Sequence, residues 1–184
     1  MSRKTRPASP GTDARVDVAA MIRVDHAGEY GAVRIYQGQL AVLGARNSQA
    51  VDAIRHMAEQ EQRHLKSFDA LVNERRVRPT ALEPLWRIAG FALGAATALM
   101  GEEAAMACTA AVEDVIDEHY ATQVARLGDK DPELKDTVES FRIDEAAHRE
   151  TAIAHGAEQA TGYRLLSKSI KAGCRLAIAL SEKI

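Results

Sequence analysis

Residues 58–68, "AEQEQRHLKSF", decide the fold. Read in steps of three and four, they extend into a stripe of Ile54, Met57, Glu61, His64, Phe68 and Leu71. Residues at that spacing share one face of a helix. Four of the six positions suit a core, and Glu61 and His64 interrupt it. A carboxylate buried without a partner costs several kcal/mol or takes up a proton. The stripe therefore asks for something to meet these two groups.

A second Glu-x-x-His stands in "IDEAAHRET" (143–151), as Glu145 and His148. Its stripe runs Val138, Phe141, Glu145, His148, Ala152, His155. With 15 glutamates and six histidines in 184 residues, chance supplies roughly half a match, so two on apolar stripes carry weight. The same distance before each motif lies another glutamate. Glu29, in "DHAGEYGA", is 32 residues before Glu61, and Glu113, in "TAAVEDVID", is 32 before Glu145. Glu29 follows Ile22 and His26 and precedes Val33, Tyr36 and Leu40; Glu113 shares a face with Met106, Thr109, Ile116 and Tyr120. An offset of 84 relates the halves, as a duplicated helical hairpin would.

Turn residues divide the chain into five predicted helices. The first covers Asp13 to Leu43 and stops at Gly44. The second starts at Ser48, an N-cap, and ends before "RVRPT", where Pro79 breaks the pattern. The third spans Pro84 to Leu127, with Gly90, Gly94 or Gly101 as points of kinking or interruption. Asp131 and Pro132 are N-cap and N1 of a fourth helix running to Gln159, and a fifth covers 163–183. No strand pattern of useful length is present. The expected fold is all-α, with residues 1–14 a disordered lead-in and 15–184 one domain.

Composition narrows the function. The chain is 46% hydrophobic, only 4% aromatic, with net charge −2, which argues against nucleic acid as a partner. Cys108 and Cys174 form no CxxC and read as small core residues of a reducing compartment. The longest apolar run, "IAGFALGAATALMG" (88–101), falls short of the roughly 20 residues a spanning helix needs. No Gly-x-Gly-x-x-Gly follows a strand, so no Rossmann domain supplies electrons.

One glutamate from each of two helices and Glu-x-x-His from each of two others form the ligand set of dinuclear carboxylate bundles. Four carboxylates neutralise two divalent cations, two of them can bridge, and each histidine gives one nitrogen. Mixed oxygen and nitrogen donors suit iron or manganese. Glu29, Glu61, His64, Glu113, Glu145 and His148 are thus the candidate metal ligands. Asp144 and Asp117 are candidates to hydrogen-bond the histidines. His26 and His155 read as outlying site groups or ordinary helix residues, His56 as surface, and Tyr120 as lining the site or packing the core. Glu74 is an acidic residue away from the site.

"RVDHAGEYGAVRIYQGQLAVLG", "RPTALEPLWRIAGFALGAATALMGEEAAMACTAAVE" and "KSIKAGCRLAIALSEKI" resemble the demethoxyubiquinone hydroxylase family of ubiquinone biosynthesis, from about residue 20 to the C-terminus. The resemblance implies a ferritin-like four-helix bundle with an additional C-terminal amphipathic helix. It implies two iron ions per chain on the six residues above, and hydroxylation of a polyprenylated demethoxyubiquinol by O2. NADH or another reductant would supply electrons. By the same resemblance His119 and Tyr120 stand beside the centre and help to move electrons or protons. Other ubiquinone biosynthesis proteins become expected partners, and a homo-oligomer is compatible with the sequence. A non-catalytic metal-binding or structural subunit of a ubiquinone biosynthesis complex is the alternative, and an iron-storage bundle would have little use for the run 88–101.

A greasy quinol needs access from lipid. The fifth helix offers Leu165, Leu166, Ile170, Leu176, Ile178 and Leu180 beside Lys168, Lys171, Arg175 and Lys183, the pattern of an interfacial helix. The same residues could equally pack on the bundle, and the run 88–101 could share the membrane role. The expected location is peripheral, on the cytoplasmic face of a bacterial cell membrane, which the short N-terminus favours. In a eukaryote it would be the matrix face of the mitochondrial inner membrane.

Overall fold

The computed structural model describes residues 10–184. Six helices make up most of them: α1 Pro10–Leu43, α2 Gln49–Glu74, α3 Glu83–Leu99, α4 Glu102–Leu127, α5 Pro132–Ala154 and α6 Tyr163–Ser181. A 3-10 turn, Ala157–Gln159, precedes α6. Among the described residues there is no strand. The first nine residues of the expected lead-in lie outside the described residues, and the helix begins at Pro10.

Local chemistry sets the boundaries. The Ser48 hydroxyl accepts the Val51 N–H at 3.3 Å, and the Asp131 carboxylate accepts the Leu134 N–H at 3.1 Å with Pro132 behind it. Both caps satisfy amides that a helix start leaves unpaired. The stretch expected over 84–127, with three glycines as points of interruption, is two helices. Gly101, at φ +122°, breaks it in a conformation that side chains rarely adopt.

Gly90 and Gly94 do something else. A Cβ on Gly94 would stand 1.9 Å from the Ile35 carbonyl oxygen, and one on Gly38 2.2 Å from that of Phe91. Bare glycine backbones thus bring α3 flat against α1.

The α1–α2 and α4–α5 hairpins form the four-helix bundle, and α3 and α6 flank it. One core cluster gathers Ile22, Phe68, Tyr120, Leu134 and Val138. A second gathers Tyr36, Leu43, Ile54, Met57 and Met106. Each fully buried large aliphatic contributes about 1.5–3 kcal/mol of transfer free energy, and this offsets the cost of the polar centre between the clusters.

Part of α6 takes the second of its two expected roles, packing on the bundle. Ile170 is buried in the first cluster and Leu166 packs on both, so these two face the bundle rather than a membrane. Lys171 and Arg175 pair with Asp114 at 2.5 Å and Glu118 at 2.9 Å on α4. The apolar groups that α6 leaves outside are Leu165 and Leu176. Leu85, Ile88, Leu99 and Met100 are exposed at and beside α3. No helix among the described residues is long and apolar enough to cross a membrane.

Candidate metal centre

The four bundle helices bring all six predicted ligands to one buried place. Glu29, Glu61, Glu113 and Glu145 are each 1% exposed or less, and His64 and His148 2%, so whatever meets them must come from inside. Two sets of donor atoms lie within 4.8 Å of one another: Glu29, Glu61, His64 and Glu145, and Glu61, Glu113, Glu145 and His148. Glu61 and Glu145 belong to both. If each set held a cation, these two carboxylates would be common to both sites.

The donor atoms have little else to do. Among the described residues, eight of the twelve buried side-chain N and O atoms without a hydrogen-bond partner belong to these six residues, including both oxygens of Glu61 and of Glu145 and Nδ1 of each histidine. His64 Nδ1 faces Glu145 at 3.2 Å and Glu29 at 3.6 Å; His148 Nδ1 faces Glu61 at 3.0 Å and Glu145 at 3.3 Å. Buried polar atoms are normally satisfied. A cluster of acceptors and lone pairs converging on one volume fits cations.

Electrostatics says the same. In the metal-free protein burial pushes the Glu145 carboxyl up to about 7, and pushes Glu61 and Glu113 well above the usual carboxylate range, with the neighbouring carboxylates adding to it. The histidines diverge. Burial works against the charged form of His64, but the Glu145 and Glu29 carboxylates outweigh it and raise the group to about 10. Burial leaves His148 below its ordinary value.

Surrounding residues hold the set in place. Asp144 takes His64 Nε2 at 3.0 Å, the role expected of it, and Gln60 Oε1 takes His148 Nε2 at 3.2 Å. Asp117, the other candidate, pairs instead with Arg142 and Arg149. Phe141 stacks on the His64 ring, centroids 4.0 Å apart. Tyr120 donates its hydroxyl to Glu29 across the bundle, so it is both core and site. Tyr36 does the same for Glu113 at 2.7 Å.

Tyr36 and Gln60 were missed in the sequence, yet each had a signal. Tyr36 stands 84 residues before Tyr120, and Gln60 stands 84 before Asp144. The offset that links the ligands also links their supports.

His119 lies one step outward. Its Nε2 is 3.1 Å from Asp25 Oδ1, which also accepts from Gln123 Nε2 at 2.6 Å, and its ring is 6.0 Å from that of Tyr120. Asp25 is buried and burial raises its carboxyl to about 6, whereas the His119 side chain keeps 14% of its surface. His26 bonds Asp69 and His155 bonds its own helix at Thr151. Neither joins the six, and His56 is exposed.

Beside the centre lies an apolar cavity of about 560 Å³ between α1, α3, α4 and α6. Val24 and Ile35 of α1, Trp86 and Leu93 of α3, and Val112 and Ile116 of α4 line it. Val112 is next to Glu113 in sequence and Gly28, also on its wall, is next to Glu29.

A helical bundle carrying paired carboxylates and histidines around a shared buried volume has the donor arrangement of the ferritin-like dinuclear carboxylate proteins. The chain belongs to the family described as ubiquinone biosynthesis protein COQ7, whose model matches residues 16–181. It is 56% identical over 178 residues to the 3-demethoxyubiquinol 3-hydroxylase of Rhodospirillum rubrum, covering 97% of this chain and 82% of that one. It is 51% identical to the human mitochondrial NADPH-dependent 3-demethoxyubiquinone 3-hydroxylase, covering 92% and 79%. It is 44% identical to the mitochondrial 5-demethoxyubiquinone hydroxylase of Saccharomyces cerevisiae, covering 89% and 77%.

Proposed function

We propose that this chain is a di-iron monooxygenase that hydroxylates the open ring carbon of a polyprenylated demethoxyubiquinol with O2. The observation that carries the reading is the pair of overlapping donor sets that share Glu61 and Glu145. Glu29 and His64 complete one iron site, and Glu113 and His148 the other. When bound, a reduced iron pair activates dioxygen, so that one oxygen atom enters the ring and the other leaves as water.

The chain's own residues do the rest. Asp144 and Gln60 hold the outer histidine nitrogens and so turn Nδ1 inward. Tyr36 and Tyr120, kept protonated by burial, steady Glu113 and Glu29 by donating to them. The apolar cavity takes the quinol ring and the first part of its tail, and excludes water from the reaction. His119 and Tyr120 form the route by which protons or electrons reach the centre from solvent. The reductant is external, NADH or another donor; the names of the mouse and human mitochondrial relatives specify NADPH for those proteins.

The substrate arrives from lipid. Leu85 and Ile88 of α3 and Leu165 and Leu176 of α6 are exposed on the two helices that also wall the cavity. This supports a peripheral seat on the bilayer surface, the cytoplasmic face of a bacterial membrane or its mitochondrial equivalent, with other ubiquinone biosynthesis proteins as neighbours.

The test is anaerobic loading with iron(II), followed by demethoxyubiquinol, a reductant and O2. Two irons per chain and a hydroxylated product carrying oxygen from 18O2 are expected. Two irons with no product would favour a metal-binding structural subunit, and no bound iron would end the site assignment.

A further inference from the structure

Interior glycines make a helix less stable than alanines would, so each needs a reason. Among the described residues, most have one. Gly101, Gly128, Gly156 and Gly162 have positive φ. At Gly38, Gly44, Gly90 and Gly94 an added Cβ would come within 3 Å of a backbone oxygen. Gly28, Gly31 and Gly173 have neither: their φ values are ordinary for any residue, and an added Cβ would meet nothing within 4 Å.

All three line the apolar cavity beside the metal centre. Two stand on α1, on either side of Glu29 in sequence, and the third stands on α6, next to Cys174. No conformation and no neighbouring atom requires glycine there. What alanine would change is the space in front of it.

We propose that Gly28, Gly31 and Gly173 are specificity-determining residues whose missing side chains set the cavity's width for a prenyl-substituted quinol ring. The inference rests on the substrate reading proposed above. A methyl group at each position would project into the void and narrow it from α1 and from α6. The passage stays open at the expense of helix stability, which is the reverse of what packing alone would select.

Trp86, the chain's one tryptophan, lines the same cavity and reports on binding without turnover. Metal-free protein is titrated with a short-tailed ubiquinone analogue while Trp86 fluorescence is followed, and thermal midpoints are recorded in parallel. The triple variant Gly28→Ala, Gly31→Ala, Gly173→Ala should melt several degrees higher than the wild type and bind the quinone at least about tenfold more weakly. Gly94→Ala, where the Cβ would collide with Ile35, should melt lower. A triple variant that melts lower would show these glycines to be packing residues and overturn the proposal. Equal quinone affinity in the triple variant and wild type would overturn it too. A wild type whose tryptophan shows no saturable quenching would overturn instead the assignment of the cavity to the quinol, and the proposal with it.

Discussion

Tyr36 on α1 donates its hydroxyl to Glu113 on α4, 2.7 Å away, so the first half of the chain clamps a buried carboxylate of the second. Tyr120 returns the favour to Glu29. Replacing Tyr36 with Phe leaves a buried carboxylate oxygen without its donor. The expected loss is about 1–3 kcal/mol of stability in the metal-free protein, read by urea denaturation with EDTA present. Tyr120→Phe should behave alike, and a Tyr36→Phe protein as stable as wild type would refute the clamp.

The metal-free protein should lose stability as pH rises from 5 to 8. Burial lifts Asp25 from 3.8 to about 6 and Glu145 from 4.5 to about 7. A carboxyl whose folded value is raised holds its proton longer folded than unfolded, so its buried form is least costly below the unfolded value and destabilises as pH climbs through the window. His64, raised from 6.5 to about 10, adds stability that is complete below 6.5 and is lost as pH rises from 6.5 towards 10. His148, lowered by burial, opposes the trend below 6.5 as a single group. Iron(II) should reverse the slope, because ligands must give up protons to bind it. Thermal midpoints across pH, with chelator and with metal, decide.

Glu145 serves both donor sets and Glu113 only one. Glu145→Ala should therefore abolish iron binding at both proposed metal positions, and Glu113→Ala at one. Without metal, Glu145→Ala should melt above wild type, since it removes a buried carboxylate from among like charges. Glu74→Ala, at the exposed end of α2, should change nothing. Iron per chain and calorimetry of the apo-proteins measure all three.

The proposed membrane contact can be tested separately from folding on α6. Leu165→Glu with Leu176→Glu alters side chains that are 74% and 61% exposed, so liposome co-flotation should fall while the melting temperature holds. Ile170→Glu buries a charge in the core and should cost about 3–5 kcal/mol. Unchanged flotation of the first variant would move the contact to α3 or remove it.

The sequence carried the four bundle helices and the six converging residues, because a polar group on an apolar stripe is conspicuous at helical spacing. Ser48 and Asp131 were readable as caps for the same local reason. The break at Gly101 was one of three glycine options, since sequence does not distinguish a glycine needed for φ from one needed for close approach. Gly94 proved to be the second kind, and only the position of Ile35 reveals it. The inward face of α6 was also hidden: Leu165 and Leu166 are equally apolar, and a helix's rotation on its neighbours is set by tertiary packing. Asp25 and Gln123 carry no signal in the sequence, and only the packing of α1 on α4 brings Asp25 within reach of both His119 and Gln123.

The 84-residue repeat has a consequence for how alike the two ends of the centre must be. Had the hairpins been separate identical chains, every position would appear twice. Joined in one chain, they can differ. His119 corresponds to Ile35, and Asp25 to Thr109, while Gln123 keeps its counterpart in Gln39, which bonds Thr109 at 3.2 Å. One flank thus bears an ionisable pair that touches solvent, and at the matching position the other presents an aliphatic wall to the cavity. Covalent linkage gives the centre a wet side and an oily side, a polarity that no two-fold dimer of the same hairpin could hold.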